Sequence, residues 1–252
     1  MDIGDTSSLG RRTLIKEYDK MMLSSGIEVA PITNKYIFIV NMGEQYVQDL
    51  LPDIEKILND PRSSNYEYNL AGQMDSGRQI QIREDQFTPN LNNLKQAVES
   101  MARAYIDRFF LASLHNKEDF KGVINLHDIW IVEQKNGDYN PLHTHKTKSP
   151  AGLSGVLYIK TPPQILNPKK NKDGRGIEKT HAQGKIKITT GDKVSADLTS
   201  LESSQLMIFD PIPGRLLLFP KNTAHSVDPF YGDGDRICLA FNVNIWYQQP
   251  GK

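Results

Sequence analysis

The sequence predicts a mainly β protein of the α+β class, a sandwich or barrel of short strands with supporting helices on its N-terminal side. Three observations carry this. Two segments of the first half repeat apolar residues at helical spacing: Glu44 to Leu58, and the run Leu91, Leu94, Val98, Met101, Tyr105, Phe109. After Gly122 the pattern changes to six or seven short apolar or alternating runs divided by turn residues. A row of strands that follows helices buries its apolar faces most simply as a closed or sandwiched sheet with the helices packed outside.

Taken in order, residues 1 to about 33 begin polar, carry a short helical pattern from Leu14 to Leu23 ending near Gly26, and read as an N-terminal extension. Lys35-Tyr-Ile-Phe-Ile-Val40 is β-branched and aromatic, a strand signal, and the Glu44–Leu58 helix is stopped by Asn59-Asp-Pro61. Residues 60–78 are rich in turn formers, Gln79 to Ile82 alternate as a strand, and the clearest amphipathic helix starts at Asn90. Asp128 to Glu133 is a strand, and Asn136-Gly137 a tight turn. The remaining strands are Leu153 to Ile159, Lys185 to Ile188, Gln205 to Phe209, Arg215 to Phe219 and Arg236 to Ile245. This divides the chain into an extension (1–33), a helix and strand support (34–120) and a β core (121–252) with an insert at about 160–187.

Composition narrows the function classes. The chain has 252 residues, enough for a sizeable core, and its 30 basic residues balance 30 acidic ones. That balance gives no overall field toward nucleic acid or a membrane surface. A single cysteine, Cys238, excludes an internal disulfide and suits a reducing compartment, and no run approaches the roughly 18 apolar residues of a membrane span. The expectation is a cytoplasmic protein without membrane or nucleic-acid partners.

Two phrases carry chemistry: Asn140-Pro-Leu-His143-Thr-His145, and Phe219-Pro220 leading to His225 and Arg236. On a strand, residues two apart share a face with Cα atoms roughly 6.5 Å apart, within reach of one metal ion. A third histidine arrives from a distant strand. Neutral imidazole suits iron, zinc, copper or nickel, so the residues name a metal centre without choosing its ion. On the last strand Arg236, Cys238, Ala240, Asn242 and Asn244 share one face. A guanidinium binds a carboxylate with two parallel hydrogen bonds; the alternative for Arg236 is a surface ion pair with Asp233 or Asp235. Cys238 has no neighbouring base in sequence and reads as a small buried residue rather than a nucleophile.

With these residues in view, residues 130–246 resemble the double-stranded β-helix (jelly-roll, cupin-like) core of the Fe(II)/2-oxoglutarate-dependent oxygenases. The match is to a branch with the order N-P-L-H-x-H, L-S-G-V-x-Y, F-P-x(4)-H, R-I-x-x-A-F-N. Here these stand as Asn140 to His145, Leu153-Ser-Gly-Val-Leu-Tyr158, Phe219-Pro220 to His225, and Arg236 to Asn242. The resemblance implies Fe(II) held by His143, His145 and His225. It implies 2-oxoglutarate held on the Arg236 side, with Tyr158 on the same carboxylate. Asn242 is counted with them as a co-substrate-side candidate, or as a brace behind a metal ligand. Tyr158 alone could equally be packing. Most of that superfamily has Asp or Glu where this chain has His145, which leaves the centre more cationic. Asp138 or Asp228 could supply a carboxylate, but neither has the matching spacing, and three histidines are the preferred set. The implied reaction consumes O2, releases succinate and CO2, and hydroxylates a C–H bond of a peptide or small-molecule substrate.

Two other readings stand beside this one. A three-histidine metal cupin would need no keto-acid; Gly137 and the His-x-His spacing fit its first motif, but no glutamate follows, and Gly214 lies eleven residues before His225. A non-catalytic metal-binding β-sandwich module is the third. The insert carries eight basic residues (160, 169, 170, 172, 175, 179, 185, 187) against Asp173 and Glu178. It reads as a solvated loop, or as a lid favouring an anionic substrate. His115, His127 and His181 have no partner at ligand spacing.

Overall fold

The computed structural model describes residues 27–32, 35–65, 70–110, 122–167, 182–189 and 206–247. Eleven strands run through it: β1 (Ile27–Ile32), β2 (Lys35–Asn41), β3 (Arg78–Gln81), β4 (Gly122–Gln134), β5 (Asn140–His143), β6 (Ala151–Lys160), β7 (Ile186–Thr189), β8 (Leu206–Phe209), β9 (Arg215–Pro220), β10 (Ala224–Val227) and β11 (Arg236–Tyr247). They form two sheets: a seven-stranded one in the order β1-β2-β9-β6-β11-β4-β3, and a four-stranded one in the order β5-β10-β7-β8. From β4 onward the chain passes repeatedly from one sheet to the other, and every pairing between these strands is antiparallel. This is the rolled two-sheet architecture expected of a double-stranded β-helix.

Alternation along the large sheet feeds two cores. Phe38, Ile131, Leu157, Leu218 and Leu239 face the helices, where they join Leu50, Ile54, Leu91, Leu94 and Val98. The residues between them (Ile37, Val132, Val156, Leu217, Cys238) face the small sheet and meet Ile186, Ile188 and Phe209. Because both faces of these strands are buried, they read as nearly continuous apolar runs. Each fully buried Leu or Ile contributes about 1.5–3 kcal/mol, so the helices are held chiefly by that face.

The helices follow their local signals. Glu44–Leu58 forms as expected. The amphipathic helix runs Pro89–Tyr105; Thr88 caps it by accepting from the Leu91 N–H, and proline stands at its first position. Thr88 also donates to Asp53 at 2.6 Å, joining the two helices. The last turn, Ile106–Phe110, is π-wound, and Phe109 stacks on Tyr36 with 3.8 Å between ring centroids. The predicted turn at Asn136-Gly137 is present: Gly137 has φ 88°, and the Asp138 N–H donates to the Lys135 carbonyl.

Several elements depart from the sequence reading. Residues 27–32, assigned to the extension, form β1 and pair with β2 throughout. β4 starts at Gly122 rather than Asp128, because β11 pairs with it along its whole length. Ala224–Val227 is a strand in its own right, held by pairing to β5 on one side and β7 on the other. The helical pattern at Leu14–Leu23 lies outside the described residues, as do His115 and His181. Among the described residues no helix is long and apolar enough to cross a membrane.

Candidate metal centre and co-substrate pocket

His143 is the last residue of β5, and His225 stands directly opposite it in the β5–β10 pairing. Their ring centroids are 4.3 Å apart. His145 lies beyond the end of β5, so a shared strand face is not what joins it to His143. Its backbone N–H donates to the Lys221 carbonyl at 2.8 Å, and its ring stacks on Trp130 at 5.7 Å. The Lys221 ammonium in turn donates to Thr147 Oγ1 and the Ser149 carbonyl, fixing the loop after β5. Ligand atoms of the three histidines all lie within 4.8 Å of one another.

The hydrogen bonds behind the rings set their tautomers. Nδ1 of His143 faces the Pro141 carbonyl at 2.7 Å, that of His225 the Thr223 carbonyl at 2.9 Å, and that of His145 Asn242 Oδ1 at 2.9 Å. An Nδ1 facing a carbonyl oxygen carries the proton, which leaves a lone pair on each Nε2. Burial, reinforced by the neighbouring rings, pushes the His145 pKa down to about 4 and that of His225 to about 3; burial also lowers His143. All three are therefore neutral near pH 7. Nε2 of His145 and Nε2 of His225 are only 3.2 Å apart. Two lone pairs at that distance repel unless a cation lies between them, so the donor set fits a divalent transition metal. Among the described residues no carboxylate joins the cluster. Asp138 staples a turn through the N–H groups of Asp75 and Lys135, and Asp228 pairs with Lys187 at 2.5 Å.

A cavity of about 770 Å³ opens beside the histidines and reaches Tyr158 and Arg236. Arg236 is 2 % exposed. Its Nε donates to the Gly184 carbonyl at 2.8 Å, its Nη1 to Gln134 Oε1 at 2.5 Å, and its guanidinium lies 5.3 Å from the centre of the Tyr158 ring. Among the described residues no acid pairs with it; Asp235 pairs with Lys160 instead, at 3.6 Å. A buried charge without a counter-charge is unfavourable unless a ligand supplies one. The Tyr158 hydroxyl is buried and has no hydrogen-bond partner, and burial raises its pKa, so it remains a donor. A guanidinium and a free hydroxyl donor side by side have the chemistry to take a carboxylate, and the residues fit 2-oxoglutarate there. Cys238 lies on the same face, fully buried, its thiol pKa raised by that burial, which leaves it inert as a nucleophile.

Asn242 sits at the other end of the same strand face. Its Oδ1 takes a hydrogen bond from Ser154 Oγ at 2.9 Å and faces His145, so it touches the histidine cluster rather than Arg236 or Tyr158. Sequence reasoning did not find Trp130, Gln134 or Gln79, which join the site only through strand register: Gln134 opposes Arg236, Trp130 opposes Ala240, and Gln79 opposes Val132. His127 stays apart, 3.6 Å from Asp128. In the insert, Lys160, Lys185 and Lys187 are paired with Asp235, Asp210 and Asp228. Its five other basic residues lie outside the described residues.

The comparisons with known proteins agree with this geometry. Residues 128–242 match the family model described as "Putative 2OG-Fe(II) oxygenase". Among solved structures the chain is similar to a Pseudomonas putida prolyl-4-hydroxylase, with 14% identity and a TM-score of 0.50, over 92% of this chain and 97% of that one. It is also similar to the non-haem α-ketoglutarate-dependent epimerase SnoN of nogalamycin biosynthesis, with 11% identity and a TM-score of 0.53, over 96% and 88%. At these identities the likeness concerns the fold, that of the double-stranded β-helix. No curated protein matches the chain. The family match favours the keto-acid reading over the cupin and the non-catalytic module. It begins at Asp128, ends at Asn242 and so spans both the histidine cluster and the Arg236–Tyr158 pair, and over these residues the chain is similar to the Fe(II)- and 2-oxoglutarate-dependent oxygenases.

Proposed function

We propose that His143, His145 and His225 hold Fe(II), that Arg236 and Tyr158 hold the far carboxylate of 2-oxoglutarate, and that the enzyme hydroxylates a C–H bond of a peptide or small-molecule substrate. The observation that carries this is the convergence of three histidine lone pairs in one cavity with a buried guanidinium that has no acid beside it among the described residues. When bound, the iron and keto-acid supply the O2 chemistry, with release of succinate and CO2.

The chain's own residues bind, orient and protect. Pro141, Thr223 and Asn242 hold the imidazoles with their Nε2 atoms turned inward. Arg236 and Tyr158 fix one end of the keto-acid and thereby its distance from the histidines. Trp130 and Phe219 cover His145 and His225, limiting water around the cluster. Cys238, free and buried, fits the reducing cytoplasm we propose as its location.

The test is an anaerobic Fe(II) titration with and without 2-oxoglutarate, watching the visible metal-to-keto-acid charge-transfer band. A band in the wild type that disappears in Arg236→Ala supports the assignment. Metal bound with no band under any keto-acid concentration overturns it.

A further inference from the structure

One wall of the cavity serves neither the histidines nor the carboxylate receptor. It is formed by β3, the outer strand of the large sheet. Gln79 and Gln81 stand two residues apart on this strand, share its inner face and line the cavity. Gln79 opposes Val132, which opposes Cys238, which opposes Tyr158. The wall is therefore in the row of Tyr158 but three strands across from it, about 14 Å at ordinary strand spacing, and two strands across from β11, which carries Arg236.

Gln79 is 1 % exposed, and its Oε1 has no hydrogen-bond partner. Buried carboxamide oxygens are nearly always paired, and an unpaired one in a cavity marks a place for a donor. The residue itself is held in place, because its backbone N–H donates to Asn65 Oδ1 at 3.1 Å. Gly72 makes room for the carboxamide and for the end of Met74: a Cβ there would stand 2.6 Å from Oε1, 2.8 Å from Cδ and 2.5 Å from Met74 Cε. Gly72 is not among the glycines with positive φ, so it serves this close approach and not a turn.

The surroundings choose the ligand class. Leu70, Ala71 and Trp130 offer apolar surface, Gln79 and Gln81 offer carboxamides, and Asp128 adds a carboxylate. Among the described residues these six include no Lys or Arg to receive an anion, and Asp128 repels one; Lys146, which also lines the cavity, follows His145 in the loop after β5. Apolar surface interrupted by amide groups at a two-residue interval matches an extended, uncharged peptide, whose N–H groups need acceptors and whose side chains need apolar cover.

We propose that the β3 wall is the subsite for the substrate to be oxidised, and that it takes an uncharged peptide segment whose backbone N–H donates to Gln79 Oε1. This rests on the oxygenase reading of the same cavity. Gln79 determines specificity and positions the substrate; it does not touch the reacting atoms.

The probe is a pool of capped, uncharged hexapeptides, used with a matching pool in which ester linkages replace the amides. Succinate release is followed, together with quenching of Trp130 fluorescence in a Trp246→Phe background. The expected result is stimulation of the wild type by the amide pool and at least tenfold less by the ester pool. In Gln79→Leu and in Gly72→Ala, half-saturation by the amide pool should rise at least tenfold, while the Fe(II)–2-oxoglutarate band and the melting temperature show the variants loaded and folded. Equal response to both pools, an unchanged half-saturation in both variants, or no response of a wild type that shows the band, overturns the subsite. Absence of the band in the wild type instead overturns the oxygenase reading, and the subsite with it.

Discussion

Asn242 holds His145 across 97 residues of sequence: its Oδ1 stands 2.9 Å from Nδ1 and is itself fixed by Ser154 Oγ at 2.9 Å. The ring that lies off the strand is thus aimed by β11 and β6, and the metal centre depends on the large sheet as well as on the small one.

Asn242→Leu should therefore weaken Fe(II) binding by roughly 10- to 100-fold, the usual effect of removing a partner behind a metal-binding histidine. Asn242→Asp keeps an acceptor toward Nδ1 and should retain most of the affinity. Anaerobic titration of both variants checks this. Equal loss in the two would mean that the residue serves packing.

His225→Ala should abolish metal-dependent turnover and leave the fold intact. Its Nε2 stands 3.2 Å from the Nε2 of His145 with no bond between the two lone pairs, and the one hydrogen bond lost, from Nδ1 to the Thr223 carbonyl, spans only two residues. Circular dichroism and a thermal melt decide it, and an unfolded variant would show that the histidines are structural.

Arg236→Ala should raise the half-saturating 2-oxoglutarate concentration by at least about 2 kcal/mol, roughly 30-fold, with Fe(II) affinity in the absence of keto-acid changed far less. Arg236→Lys should recover little, since an ammonium cannot reproduce the planar two-pronged contact. If both affinities fall together in Arg236→Ala, its place as the carboxylate anchor is wrong.

Alkaline stability should report on Tyr105. Burial pushes its hydroxyl pKa up from 10.0 to about 12, while its O–H donates to the Tyr36 carbonyl at 3.0 Å. A pKa raised by folding means that the native state holds the proton more tightly, so this stabilisation is complete below pH 10 and is lost as pH rises toward 12. Denaturation at fixed temperature should show Tyr105→Phe losing stability less steeply over that window, by up to about 1.4 kcal/mol per pH unit. Parallel curves for the two proteins would remove Tyr105 from the explanation.

The helices and inner strands were legible because their signals are local. Thr88 and Pro89 start the long helix by satisfying its own first turn, and strands such as β9 are apolar throughout because both faces are covered. β10 was not legible: Ala-His-Ser-Val carries no strand pattern of its own and forms because β5 and β7 flank it. The assumption that His143 and His145 share a strand face failed for the same reason. Pairing with β10 ends β5 at His143, and the Lys221 carbonyl takes up the His145 N–H.

By itself the sequence determined which side chains bring chemistry. Imidazole, guanidinium and phenol have their donor properties wherever they stand, and the motifs holding His143, His145, Tyr158, His225 and Arg236 were readable as text. Only the tertiary structure decided what those groups meet. Strand register set Gln134 against Arg236 and an unpaired Gln79 on the opposite wall, packing set Trp130 against His145, and burial left a guanidinium with no acid beside it among the described residues. Register and burial are sums over contacts between residues tens of positions apart, so no short stretch of sequence carries them.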